Sequence, residues 1–261
     1  MPLLLRIMLF AAFGGIASAA VAVLFLWVPD ERSARILPHF VSFATGALLG
    51  AALLALLPEA MEGAAPGGAH RIGLTLLAGL GVFFVIEKLV LWWHAHAHGH
   101  EGRDGENAHS RERASGILVL VGDSVHNALD GVLIAAAFLN SSALGVLTTF
   151  AVAAHEIPHR VGDFAILVQA GLSRQRAALF NLATGIASVI GAIVAYFALR
   201  RALGVLPYAL AFAAAGFLYI AVAGLIPGLH RRADPRTSAV QVLLISAGVA
   251  VVGLAERFTH Q

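Results

Sequence analysis

LPYALAFAAAGFLYIAVAGLIPGL, residues 206–229, runs for twenty-four positions without a charged side chain. Coiled into a helix it would be roughly 36 Å long, more than the ~30 Å of hydrocarbon in a bilayer. Seven further long, mainly apolar stretches lie at about 3–28, 37–57, 72–93, 114–139, 143–168, 177–199 and 238–254. They are rich in Gly and Ala, which lets helix backbones approach closely in lipid. A transmembrane β-barrel would instead show weakly alternating segments of about ten residues. The chain therefore reads as an all-α integral membrane protein, one transmembrane domain over residues 1–261 folded as a bundle of eight transmembrane helices.

Composition agrees. Hydrophobic residues make up 59% of the chain and charged residues 12%, about half the charged share of a soluble domain, and the mean hydropathy is +0.84. There is no cysteine, which excludes disulfides and thiolate metal sites. A formal charge of +2 gives no basis for nucleic-acid binding, so the lipid bilayer is the expected macroscopic partner. Arg6 and Ala17-Ser18-Ala19 resemble a secretory signal with its cleavage site, but the apolar run continues to Val28, so the segment reads as a first span.

Pro29-Asp30-Glu31-Arg32, Pro66-Gly67-Gly68, Asn140-Ser141-Ser142 and Arg231-Arg232 through Pro235 break the apolar runs. With the N-terminus outside, the inner loops hold Arg32, Arg35, Arg103, Arg111, Arg113, Arg174, Arg176, Arg231, Arg232 and Arg236. The outer ends hold only Arg6, Arg71, Arg200, Arg201 and Arg257, so both termini are expected to be extracytoplasmic.

Two spans carry clusters of polar and ionisable residues near their middle. The fourth contains His126, Asn127 and Asp130, and the fifth contains His155, Glu156, His159, Arg160 and Asp163. Ionisable groups at membrane depth are costly and mark pathways or sites. The two spans are joined by a very short turn, so they are antiparallel neighbours, and both clusters fall near mid-span. His126 and Asp130 are four apart, as are His155 and His159, so each pair shares a helical face. Three imidazoles and a carboxylate suffice for a four-coordinate site. Asn127 and Glu156, one residue round, are placed for a second cation or for supporting the first. Mixed nitrogen and oxygen donors suit zinc (Zn2+) and tolerate Fe2+, Mn2+, Co2+, Ni2+ or Cd2+. Pro158 frees the carbonyl of Ala154, a feature tolerated where a helix lines a cavity. The bland alternative is that these groups only hydrogen-bond helices together.

His155-Glu156-Ile157-Pro158-His159 followed by Gly162-Asp163-Phe164-Ala165-Ile166-Leu167 resembles the fifth-helix signature of ZIP (Zrt-/Irt-like) metal transporters, closest to the subfamily with HEIPHE-x-GDFAIL. His126-Asn127, Asp130-Gly131, Leu57-Pro58-Glu59-Ala60 and Ile226-Pro227 extend the likeness along the chain. The resemblance implies uptake of zinc or related divalent metal ions into the cytoplasm by alternating access, with helices 1, 4, 5 and 6 moving against the other four. It implies a multi-pass protein of the plasma (inner) membrane that is not an enzyme, and it leaves a homodimer open. Primary ligands would be His126, Asp130, His155 and His159; Asn127 and Glu156 would fall at secondary-site positions.

The chain departs from the family pattern in one direction. Arg160 stands where the signature has a second Glu, and Ala51, Ala55, Gly224, Gly228 and Ser188 stand where relatives carry acidic or His residues. Arg160 is four residues after Glu156 and three before Asp163, so either carboxylate is within reach to pair with it. The alternative is that it snorkels to an interface.

Residues 94–113 read as a His-rich cytoplasmic loop, with His94, His96, His98, His100 and His109, suited to loose metal binding or simply a solvated linker. Two other functions remain open at this level. His155-Glu156-x-x-His159 also fits the HExxH pattern of zinc metalloproteases, although Leu129-Asp130-Gly131 precedes it rather than follows it. A metal sensor or transport-dead relative gains weight from the missing acidic residues.

Overall fold

The computed structural model describes residues 1–25, 30–98, 107–169, 172–230 and 234–259. Among these residues the chain forms eight helices and no strand: α1 (Leu3–Phe25), α2 (30–62), α3 (Ala69–His98), α4 (Asn107–Asn140), α5 (Ser142–Gln169), α6 (Arg174–Leu199), α7 (Leu203–Leu229) and α8 (Pro235–Thr259). Each apolar run satisfies its own backbone by coiling, the solution that hydrocarbon demands of a single open segment. Six helices contain described segments long and apolar enough to cross a membrane: Leu3–Val21, Arg35–Glu62, Ala69–Leu89, Arg174–Leu199, Leu203–Leu229 and Pro235–Arg257. The other two, α4 and α5, are those that carry the polar clusters.

Leu77, Ile186 and Leu243 point outward and are exposed, as lipid-facing side chains are. The centre belongs to α2 and α7, with 61% and 56% of their apolar windows buried, against 11% for α8. Helices α1, α4, α5 and α6 pack on one another, while α2 pairs with α8 and α3 with α7.

Local chemistry fixes the ends. Ser141 alone separates α4 from α5, and its Oγ accepts from Leu144 N at 3.1 Å, capping α5 and holding the two helices antiparallel. Asp234 caps α8: Thr237 N donates to Asp234 Oδ1 at 2.9 Å, with Pro235 in the first helical position. Hydrogen bonds from the Thr237 side chain and then its backbone N–H hold the Asp234 carboxyl below its ordinary range.

The elements differ from the expected spans in three respects. Helix α2 begins at Asp30, so the charged Asp30-Glu31-Arg32 tract forms its first turn, ahead of the apolar segment that starts at Arg35, while 26–29 lie outside the described residues. Helix α3 continues through His98 and α4 begins at Asn107, so both ends of the 94–113 segment are helical, while 99–106 lie outside the described residues. Finally, α2 and α7 each contain a π-helical segment, Ala51–Leu56 and Ile220–Leu225. Pro58 and Pro227 each follow two residues after the last π residue. A proline inside a helix lacks its N–H and crowds the carbonyl four residues back. A widened turn immediately before it relieves both problems.

Close approach between α4 and α6 positions the site. A Cβ on Gly131 would lie 1.8 Å from Ser188 O, and one on Gly191 2.0 Å from Ala128 O. Only glycine lets these two backbones touch.

Candidate metal centre

Helix α4 places His126 and Asp130 one turn apart, with the His126 Nε2 atom 3.7 Å from Asp130 Oδ2. Helix α5 brings His155 Nε2 to 3.5 Å from the same Oδ2 and 3.2 Å from His126 Nε2. One ligand atom from each of His126, Asp130 and His155 thus falls within 4.8 Å of the others. Asp130 and His155 are buried, and His126 is half-buried.

Two details bear on what this triangle can hold. Asp130 Oδ2 is buried without a hydrogen-bond partner, an arrangement that costs about 1–3 kcal/mol or more unless something else satisfies the oxygen. The other nitrogen of His155 is already engaged: its Nδ1 lies 3.2 Å from Ala151 O, one turn back on α5. Donation from Nδ1 fixes the tautomer and leaves the Nε2 lone pair facing Asp130 and His126. The separations of 3.2, 3.5 and 3.7 Å match the edge of a tetrahedron around zinc. Ligand atoms at about 2.0–2.2 Å from the ion stand about 3.3–3.6 Å apart.

His159 adjoins this triangle without completing it. Its ring centroid is 5.4 Å from that of His126 and 6.3 Å from that of His155. It is the exposed member of the group. Behind His155, the buried ring of Phe217 on α7 packs edge-on at 6.2 Å, so the site abuts the second group of helices.

Asn127 and Glu156 turn to another partner. The Arg160 guanidinium is fully buried, which excludes snorkelling, and of the two carboxylates within reach it pairs with Glu156 at 2.9 Å. The same Nη2 donates to Asn127 Oδ1 at 2.9 Å. Arg160 Nε donates to Ser18 Oγ at 2.8 Å, and Nη1 donates to Asn181 Oδ1 at 2.9 Å and to Asn181 O. Ser18 in turn donates to Glu156 Oε2 at 2.5 Å. The Asn127 amide nitrogen donates to both the backbone and the side chain of Asp123, at 2.9 Å each. Ser18 on α1 and Asn181 and Thr184 on α6 are polar neighbours of Arg160 that the sequence alone does not single out. Their only signal was a polar residue inside an apolar span.

The sequence matches the family described as ZIP Zinc transporter in two overlapping stretches, residues 3–115 and 93–256. It is 37% identical over 242 residues to the zinc transporter ZIP13 of Pongo abelii, covering 88% of this chain and 70% of the relative. The human ZIP13 is 35% identical over 271 residues, covering 88% and 73%. The zinc transporter SLC39A7 of Mus musculus is 34% identical over 319 residues, covering 92% and 67%.

Proposed function

Because this chain belongs to the ZIP zinc transporter family, it is a multi-pass membrane protein that transports divalent metal ions, and we propose that it takes zinc into the cytoplasm through a site between α4 and α5. In this reading His126, Asp130 and His155 form three corners of the coordination sphere and His159 supplies the fourth. The observation that carries it is the buried, unpartnered Asp130 Oδ2 facing two imidazole nitrogens at tetrahedral spacing. Borderline nitrogen and oxygen donors of this kind also accommodate Fe2+, Mn2+, Co2+, Ni2+ and Cd2+.

The chain is not an enzyme, and the metalloprotease reading of HExxH is set aside with the family. The chemistry agrees: Glu156, which would be the general base, has both carboxylate oxygens engaged by Arg160 and Ser18.

All eight helices span the membrane in this reading, with both termini outside the cytoplasm of the plasma (inner) membrane and lipid around α3 and α8. The 94–113 segment then faces the cytoplasm, where its histidines receive metal leaving the site. The packing of α1, α4, α5 and α6 as one group supports alternating access in which that group moves against α2, α3, α7 and α8. A homodimer would leave this route intact, since every proposed ligand comes from one chain.

The test uses the full chain with His94, His96, His98, His100 and His109 replaced by alanine, reconstituted in liposomes loaded with a zinc-sensitive dye. This chain is expected to give a zinc-dependent signal, and the same chain carrying His155→Ala and His159→Ala to lose it. Equal flux in the pair would sink the site. A sensor or transport-dead relative would bind zinc and give no signal in either.

A further inference from the structure

The polar cluster next to the proposed zinc site has an unusual composition. Ser18 Oγ, Asn127 Oδ1, both oxygens of Glu156, Asn181 Oδ1 and Thr184 Oγ1 converge from α1, α4, α5 and α6 on one buried point. Oxygen atoms gathered from four helices around one charge are what a dication with oxygen ligands requires. Here the charge at that point is the guanidinium of Arg160, and all five of its N–H groups have acceptors.

We propose that Arg160 is a built-in cation: its guanidinium occupies the position among Ser18, Asn127 and Glu156 that a second dication would otherwise take, and it restricts the transport site to one metal per chain. This inference rests on the reading of His126, Asp130 and His155 as the metal site.

Charge accounting supports the restriction. Asp130 and Glu156, the buried carboxylates among the described residues, supply two negative charges. One zinc ion with Arg160 leaves a single positive charge in a largely buried volume, whereas two dications with Arg160 would leave three. Like charges about 4 Å apart repel by about 4 kcal/mol at an effective dielectric of about 20. The guanidinium also differs from a metal in being permanent. It cannot leave by the transport route, so it keeps Glu156 and Asn127 in place through every cycle, whether or not zinc is present. Because its partners lie on α1, α4, α5 and α6, it ties together the helices that move as a group in the proposed cycle.

The experiment is a count of bound zinc per chain at saturation, by equilibrium dialysis and elemental analysis, in the full-length background lacking the five loop histidines. We expect one zinc per chain without further change and two in Arg160→Ala, where Glu156, Asn127 and Ser18 become free to hold an ion. Two zinc ions in the chain that retains Arg160, or one in Arg160→Ala, overturns the proposal. Should Arg160→Ala fold only when zinc is supplied, the metal has replaced the guanidinium and the proposal stands. If it folds neither with nor without zinc, a dication does not substitute and the proposal fails. His155→Ala in the chain that retains Arg160 separates the two readings. A fall from one zinc to none upholds the metal site independently of Arg160, and an unchanged count rejects that site whatever Arg160 does.

Discussion

Asp130 Oδ2 and His155 Nε2, on neighbouring helices, stand 3.5 Å apart with no hydrogen bond closing the gap. That separation is too long for a good hydrogen bond and well suited to an ion between them. Replacing Asp130 with alanine removes the one carboxylate of the triangle. Zinc affinity measured by calorimetry on the full chain without loop histidines is expected to fall by more than ~100-fold, since even outer partners of metal ligands contribute about 10–100-fold. A change of less than ~3-fold would mean that Asp130 only holds the helices together.

Protons compete with zinc for His126, His155 and His159, because a metal binds only the neutral imidazole. Acidification from pH 7.5 to 5.5 is therefore expected to weaken binding. A zinc titration at the two pH values checks this. Equal affinity at both would count against imidazole ligation.

Arg160 and Glu156 form a buried ion pair at 2.9 Å, and removing one partner strands the other. Arg160→Met, assayed with chelator present so that no metal can substitute, is expected to lose about 3–5 kcal/mol of stability. Adding Glu156→Gln removes the stranded charge and should restore a large part of that loss. Denaturant unfolding of the two variants in detergent micelles compares them directly. Additive losses would show that Glu156 does not depend on Arg160.

The proximity of His126, Asp130 and His155 was legible because its rule is local. Spacing of four on each of two consecutive helices, joined by a turn too short to cross the bundle, forces His126, Asp130 and His155 onto facing surfaces at one depth. The partner of Arg160 was only half legible: sequence offered Glu156 and Asp163 equally, and choosing between them needs the position of α1 and α6. Ser18, Asn181 and Thr184 could not be read at all, because neutral polar residues in a span carry no information about which distant helix they face. The π segments were signalled by Leu57-Pro58 and Ile226-Pro227, but proline predicts a disturbance without specifying a widened turn over a kink. His159 shows the limit of the spacing rule. It shares a face with His155, yet its ring stands apart from the triangle.

Gly131 sits one residue after Asp130, so the packing of α4 on α6 and the geometry of the site are one problem. In Gly131→Ala the new Cβ would lie 1.8 Å from Ser188 O, a backbone atom that cannot rotate away. Helix α4 must then move, and it carries His126 and Asp130 away from His155. Overpacking of this kind costs about 1–3 kcal/mol or more. The expected result is a lower thermal midpoint together with weakened zinc binding. Gly228→Ala is the control, because no heavy atom lies within 4 Å of its Cβ. There the higher helix propensity of alanine, up to ~1 kcal/mol, should leave stability unchanged or raised and zinc affinity unchanged. Thermal unfolding and calorimetry on the two variants test the coupling. A Gly131→Ala chain that unfolds earlier but binds zinc normally would show that the α4–α6 contact supports the fold without setting the ligand spacing.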